Sequence, residues 1–213
     1  MSDRDFDFEP RPGIPAPLPA SEEILWQGSP VPRQLAREAY KVNWIAGYMV
    51  LIALWKAGAT LADASLGQAV AVLIPYLVLA GAAYLVVLFL AWMQARATIY
   101  TITTARVILR VGAALPVTYT IPFTCIETAA LTTVPTNGTG TLAMATRGDM
   151  RLSYGVLWPH VRPWHIRQPQ PAFRAIPDAA QVARILADAA QAKINEPRIV
   201  RTAPVPSGLV AAE

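Results

Sequence analysis

Between Ala64 and Ala95 the chain carries no Asp, Glu, Lys, Arg or His. That run is far longer than a core helix requires, and roughly 20 apolar residues are enough to cross the hydrocarbon of a bilayer. Inside lipid the backbone has to satisfy its own hydrogen bonds, so such a run reads as a helix. It predicts a span over about Val70–Met93, in which Pro75 removes one backbone hydrogen bond that neighbouring groups must replace. A first span is expected over about Asn43–Ala62, strongly apolar from Trp44 to Trp55. Lys56 interrupts it there, and its aliphatic stem can carry the ammonium to the interface. The overall balance agrees: 54% of residues are hydrophobic and only 15% charged, which favours a membrane protein.

The flanks suggest an orientation. Arg33, Arg37 and Lys41 precede the first span and Arg96, Arg106 and Arg110 follow the second, while the connection offers only Asp63 and, at its edge, Lys56. Basic residues collect on the cytoplasmic side, so both termini are expected there. The N-terminus, with Asp3, Asp5, Asp7 and Glu9 among prolines, lacks the basic start and apolar core of a cleavable export signal. Trp44, Tyr48, Trp55 and Trp92 belong to an aromatic belt, with Arg96 beside them. Ala80 and Gly81, in a run of small residues, allow another helix to approach, within the chain or from a second copy as a homodimer. These seven residues are the expected membrane contacts.

After Arg96 the period of the pattern changes to two. Val107, Leu109 and Val111 alternate with Arg106, Ile108 and Arg110, and Leu115, Val117, Tyr119 and Ile121 with Pro116, Thr118 and Thr120. Half-buried strands read this way. Leu142, Met144 and Thr146 repeat the pattern, as do Leu152, Tyr154 and Val156, and Asn137-Gly138 is a tight-turn signal between two such runs. A third span through Val107–Ile121 is disfavoured because the window is short, alternates, and carries Arg110 and Pro116. Pro177-Asp178 then opens a helix with Val182, Ile185, Leu186 and Ala189 on one stripe. The expected architecture is membrane α+β: a disordered arm (1–20), a juxtamembrane segment (21–42) whose Ile24–Pro30 stretch docks on something, a two-helix hairpin (43–95), a cytoplasmic antiparallel sheet closed by an amphipathic helix (96–194) and a flexible tail (195–213).

Chemistry is hard to find. No glycine-rich loop precedes a helix, no nucleophile motif occurs, and Glu127, Asp149, Asp178 and Asp188 do not pair at a spacing that suggests shared acid–base work. The single cysteine, Cys125, excludes an internal disulfide and a multi-cysteine zinc site, and reads as a buried strand residue. The net charge of +4 comes from scattered basic residues, which points away from nucleic acid and towards anionic headgroups. Neither span holds a histidine for a porphyrin-like pigment, nor a midplane acid for a transport path. The least generic stretch is Leu157–His165. Pro163 between His160 and His165 argues against a metal site. Two readings remain: a rigid loop packing Trp158 and Trp164 on the sheet with His160 and Arg162 capping carbonyls, or a protein-contact patch of Trp26, Trp158, Pro159, His160, Arg162 and Trp164.

Two spans, a hairpin-rich sheet and a terminal amphipathic helix, with Tyr100–Ile108 as first hairpin, resemble the bacterial pleckstrin-homology-like membrane proteins. Ile24–Pro30, Ala114–Val117 and Leu157–Trp164 together resemble the PuhB-type photosynthetic complex assembly family of purple bacteria, over about Ser21–Ala190. The resemblance implies a non-catalytic assembly factor, without cofactor, for the photosynthetic reaction centre and light-harvesting complex 1. Its partners would be subunits of those complexes and membrane lipids, in the inner or intracytoplasmic membrane. The competing expectation is a membrane-anchored scaffold or anionic-lipid-binding protein unrelated to photosynthesis.

Overall fold

The computed structural model describes residues 12–134, 138–147 and 152–195. A strand, β1 (Ile24–Gly28), and a short helix, α1 (Pro32–Glu38), precede two long helices, α2 (Val42–Asp63) and α3 (Leu66–Ala97). There follow β2 (Ile99–Thr103), β3 (Arg106–Val111), β4 (Val117–Pro122), β5 (Ile126–Thr133) and β6 (Gly140–Thr146). A single turn of helix, α4 (Tyr154–Leu157), leads to β7 (Ala172–Ile176) and the closing helix α5 (Ala179–Asn195). Two long apolar helices and an antiparallel β domain closed by an amphipathic helix are what the patterning predicts.

Both α2 and α3 are long and apolar enough to cross a membrane. At 1.5 Å per residue they measure about 33 and about 48 Å, against a hydrocarbon thickness of about 30 Å. The surplus in α3 carries its last turns into the β domain. The helix starts a turn earlier than the apolar pattern suggests, because Ser65 and Gln68 form a capping box around its first backbone donors. Alanines make the contact between the two helices: Ala53, Ala69, Ala80 and Ala91 are buried, and their small side chains let the backbones approach. Only 6% of the most apolar window of each helix is covered. A sleeve of apolar side chains this wide is far larger than a soluble monomer exposes.

The β domain consists of two sheets, ordered β1-β2-β3-β4 and β5-β6-β7, antiparallel throughout. Its core joins Tyr100, Ile102, Leu109 and Ile121 of the first sheet to Leu142, Met144 and Phe173 of the second, with Val182, Leu186 and Ala189 of α5 closing the open end. The stretch expected as a juxtamembrane segment in fact supplies the first strand of this domain. β1 pairs with β2, Trp26 opposite Ile102 and Gly28 opposite Tyr100. A side chain at position 28 would collide with the Trp26 ring, so glycine is what lets the indole fold back along its own strand. The helical hairpin is thus inserted between the first and second strands, and its two ends emerge on the same side.

The disordered arm expected over residues 1–20 also needs correcting: residues 1–11 lie outside the described residues, but the rest is folded. Ile14 is buried, Gly13 packs against Ile99, and Gln27 Nε2 donates to the Pro12 carbonyl. This segment lies on the face of the first sheet opposite the core. Ile108 and Arg110, residues whose alternation predicted an exposed face, are buried as well. Further along, Glu22 is clamped at the β2–β3 turn. Arg106 donates to both of its carboxylate oxygens, from Nε at 2.9 Å and Nη2 at 2.6 Å, and the Thr103 hydroxyl donates at 2.6 Å. Burial alone would raise the Glu22 carboxyl, but these bonds outweigh it and hold the group below its ordinary value. Replacing Arg106 by alanine leaves the carboxylate enclosed with one partner. A loss of about 2 kcal/mol is expected in denaturant unfolding of the detergent-solubilised protein.

Three further expectations change. Tyr154 and Val156 lie in a helical turn, α4, not in a strand; the Leu157 and Trp158 N–H groups donate to the Ser153 and Tyr154 carbonyls, and Pro159 blocks continuation. Cys125 is half-buried in a 3-10 turn, Phe123–Cys125, that swings the chain from one sheet to the other. At the β5–β6 connection Gly138 adopts φ +66°, the left-handed conformation glycine tolerates, while Asn137 lies outside the described residues. The tail expected from residue 195 lies outside them from residue 196 onward.

Candidate functional site

The segment that stands out in the sequence, Leu157–His165, sits where the long helices enter the β domain. α1 forms the floor of this junction. Leu35 packs with Ala95 of α3 and Ala175 of β7, Ala36 packs with Val42 and Ala91, and the Val31 N–H donates to the Ala175 carbonyl at 2.8 Å. Glu38 at the end of α1 accepts from Gln34 and from Thr141 of β6. Apolar contact and hydrogen bonds together leave the helices little freedom to swing against the sheets.

At the centre of the junction is His160, wholly buried. Its Nδ1 lies 2.6 Å from the Tyr100 hydroxyl, and its Nε2 3.0 Å from Thr98 Oγ1 and 3.3 Å from the Gln94 side-chain amide. The bonds through the two hydroxyls have one consistent direction. The Arg174 N–H donates to the Tyr100 oxygen at 3.2 Å, so the phenol proton is free to go to Nδ1. Nε2 then carries the imidazole proton and donates to Thr98, whose own hydroxyl donates to the Gln94 carbonyl at 2.8 Å; the Gln94 amide nitrogen, itself a donor, lies beside Nε2 without bonding to it. The tautomer is assigned from this network. Burial, with the Arg174 guanidinium nearby, pushes His160 down to about 3, and burial pushes the Tyr100 phenol up. The imidazole is therefore neutral with both nitrogens engaged. It holds the last turns of α3 against β2 and β7, and offers neither a free lone pair for a metal nor a basic nitrogen for proton transfer.

The partner-contact residues expected from sequence separate into an inner and an outer group. His160 and Pro159 are buried, and Trp26 is half-buried with its ring stacked on Phe173 at 5.8 Å. These face the interior because β1 and the loop close over the core, and His160 presents no surface to a partner. Nor does it cap carbonyls: its ring bonds to hydroxyls. Trp158 stands edge-on to Tyr40 at 5.0 Å yet stays partly exposed. Arg162 is exposed and donates to the Gln170 side chain at 3.0 Å. Trp164 is 90% exposed, contrary to the expectation that it would pack on the sheet. On the helices, Trp44, Tyr48 and Trp55 are exposed, and Trp92 lies beneath the Arg96 guanidinium at 5.1 Å. Ala80 faces the partner helix within the chain, whereas Gly81 is on the open side. Sequence reasoning missed Tyr100, Thr98, Gln94 and Arg174, ordinary residues taken singly, which become a site only when α3, β2, β7 and the loop carrying His160 converge.

Among the described residues no cluster of three or more His, Cys, Asp or Glu could hold a metal ion. A family model for the bacterial PH domain matches residues 44–190. The chain belongs to the bacterial PH domain family. The matched family is a PH domain family, not an enzyme family. A relative of this bacterial PH domain protein in Rhodobacter capsulatus is 55% identical over 214 residues, covering all of both chains; it is described as an uncharacterized 23.7 kDa protein in the puhA 5′ region. A duf1696 family protein with a pleckstrin-homology domain from Shewanella loihica, known from a crystal structure, is 13% identical, covering 44% of this chain and 71% of that one with a TM-score of 0.29.

Proposed function

We propose that this PH domain protein is a non-catalytic assembly factor for the photosynthetic reaction centre and light-harvesting complex 1. In this reading α2 and α3 span the bacterial inner or intracytoplasmic membrane, with the β domain and both termini in the cytoplasm. The observation that carries it is the full-length 55% identity to a protein placed in the puhA 5′ region, a locus that shares its puh designation with the assembly family the sequence resembles. The geometry supports it in two ways. The lipid-side faces of α2 and α3, with Trp44, Tyr48, Trp55 and Gly81, are open to a membrane-embedded subunit or a second copy. The β domain is fixed to those helices through His160 and α1, so a partner contact in the membrane also sets the position of the domain. Two contacts held at one geometry raise effective concentration without requiring either to be tight.

Capture of the tagged protein from pigmented membranes in mild detergent tests this. The eluate is expected to show near-infrared pigment absorption and to contain reaction-centre or light-harvesting 1 subunits. An eluate with lipid but no pigment–protein subunit would favour the scaffold unrelated to photosynthesis. Reporter fusions before Ile24 and after Glu127 are expected to give the same, cytoplasmic, signal.

A further inference from the structure

The Trp158–Pro171 segment leaves the junction, turns and returns. Its base is closed by the Val161–Pro171 bridge and by the Arg162 N–H donating to the Gln170 carbonyl at 2.9 Å, backed by the Arg162–Gln170 side-chain bond. The two ends of the base are tied to the helices. Trp158 touches Tyr40, just ahead of α2, and His160 touches Gln94 and Thr98 at the end of α3. The loop is thus at the end of the β domain where the long helices enter it.

Its tip carries apolar side chains that the fold does not use. Trp164 is 90% exposed and Ile166 is 66% exposed. Trp164 has φ +67°, a costly backbone conformation for a bulky aromatic, and His165 Nδ1 meets the Pro163 carbonyl at 2.8 Å within the turn. The tip is therefore shaped, and the shape presents the indole outward. Between Leu152 and Pro177 the chain has no Asp or Glu, while exposed Arg162 and Arg167 flank the tip. At the same end of α3, Trp92 and Arg96 repeat the combination of an indole with a guanidinium.

We infer that the Trp164–Ile166 tip is an interfacial anchor, inserting its indole and branched alkyl chain into the headgroup–acyl boundary of the bilayer that α2 and α3 cross, with Arg162 and Arg167 on anionic headgroups. Indole suits that boundary because its ring is apolar and its N–H can stay hydrated. Nearby guanidinium groups add attraction to an anionic surface. The anchor would be a third attachment, lateral to the two helices, fixing the tilt of the β domain over the membrane. The inference rests on reading α2 and α3 as spans.

Cys125 is the chain's only cysteine, which makes a labelling test direct. In a Cys125→Ser background, Ile166→Cys, Leu115→Cys and Leu79→Cys each carry a nitroxide, and the full chain is reconstituted in phosphatidylcholine vesicles with and without phosphatidylglycerol. Leu115 is an exposed residue of the β3–β4 connection, and Leu79 an exposed residue in the middle of α3. The label at 166 is expected to be several-fold more accessible to oxygen than to a water-soluble relaxant, as at 79 and unlike 115. The preference should weaken without phosphatidylglycerol and in the Arg162→Glu, Arg167→Glu variant. A water-like label at 166 with a lipid-like label at 79 overturns the anchor alone; water-like labels at both overturn the spanning reading beneath it. A label at 166 that is water-like in vesicles and becomes immobilised only when solubilised pigment–protein subunits are added assigns the tip to a protein partner, and also overturns the anchor.

Discussion

Replacing Phe173 by alanine is expected to cost the β domain about 3–5 kcal/mol, the range for deleting a fully enclosed aromatic ring. Phe173 has no exposed surface, stacks on Tyr100 at 4.5 Å and receives the Trp26 ring at 5.8 Å. It is the piece of the second sheet that both β1 and β2 lean on. Truncating it opens a cavity between the sheets and also loosens Tyr100, whose hydroxyl orients His160. Denaturant unfolding in a detergent that preserves α2 and α3 should show the loss, accompanied by weaker near-ultraviolet dichroism as Trp26 loses its neighbour. A change below about 1 kcal/mol, the size typical of a substitution on the surface, would mean that the two sheets are not joined through this stack.

Stability is also expected to fall as the solution becomes mildly acidic, because of His160. The folded state refuses a proton until about pH 3, whereas an unfolded histidine takes one up near 6.5. The group's folded value is depressed, so below 6.5 the unfolded chain binds more protons and gains. The loss approaches about 1.4 kcal/mol per pH unit between those limits, and is absent above pH 7. Glu22 adds a loss of the same sign, but only at pH values below those at which an unfolded glutamate ionises, so the interval from 6.5 to 5 reports on His160. A His160→Gln variant, able to accept from Tyr100, should unfold more readily at pH 7 and lose this slope. An unchanged slope would place the proton uptake elsewhere.

How much of this was readable in the sequence depends on how local each determinant is. α2 and α3 announce themselves by an uninterrupted apolar run, β3 and β4 by alternation, and α5 by Val182, Leu186 and Ala189 on one stripe. β1 and β7 do not. Ile24–Gly28 is five residues long and becomes a strand through pairing with Ile102 and Tyr100, far along the chain. Ala172–Ile176 is buried at all five positions, so it lacks the alternation that marks a half-exposed strand. The crowding of Trp, Pro, His and Arg in Leu157–His165 correctly marked an unusual segment, but composition does not separate inside from outside. His160 goes in because Thr98 and Tyr100, sixty residues earlier, supply its partners, and Trp164 stays out because the loop closes before reaching it.

The position of the helical hairpin between β1 and β2 also sets an order of events during synthesis. β1 leaves the ribosome first and has no partner until Ile99–Thr103 has been made, a delay on the order of ten seconds at ordinary elongation rates. If α2 and α3 span a membrane as proposed, both must enter it and turn back in that interval. If the hairpin is left half-inserted, β2 emerges on the opposite face of the bilayer from β1 and the first sheet cannot form. On that reading closure of the β domain goes with complete insertion: a chain that crossed the membrane once would display an unpaired strand and an open core.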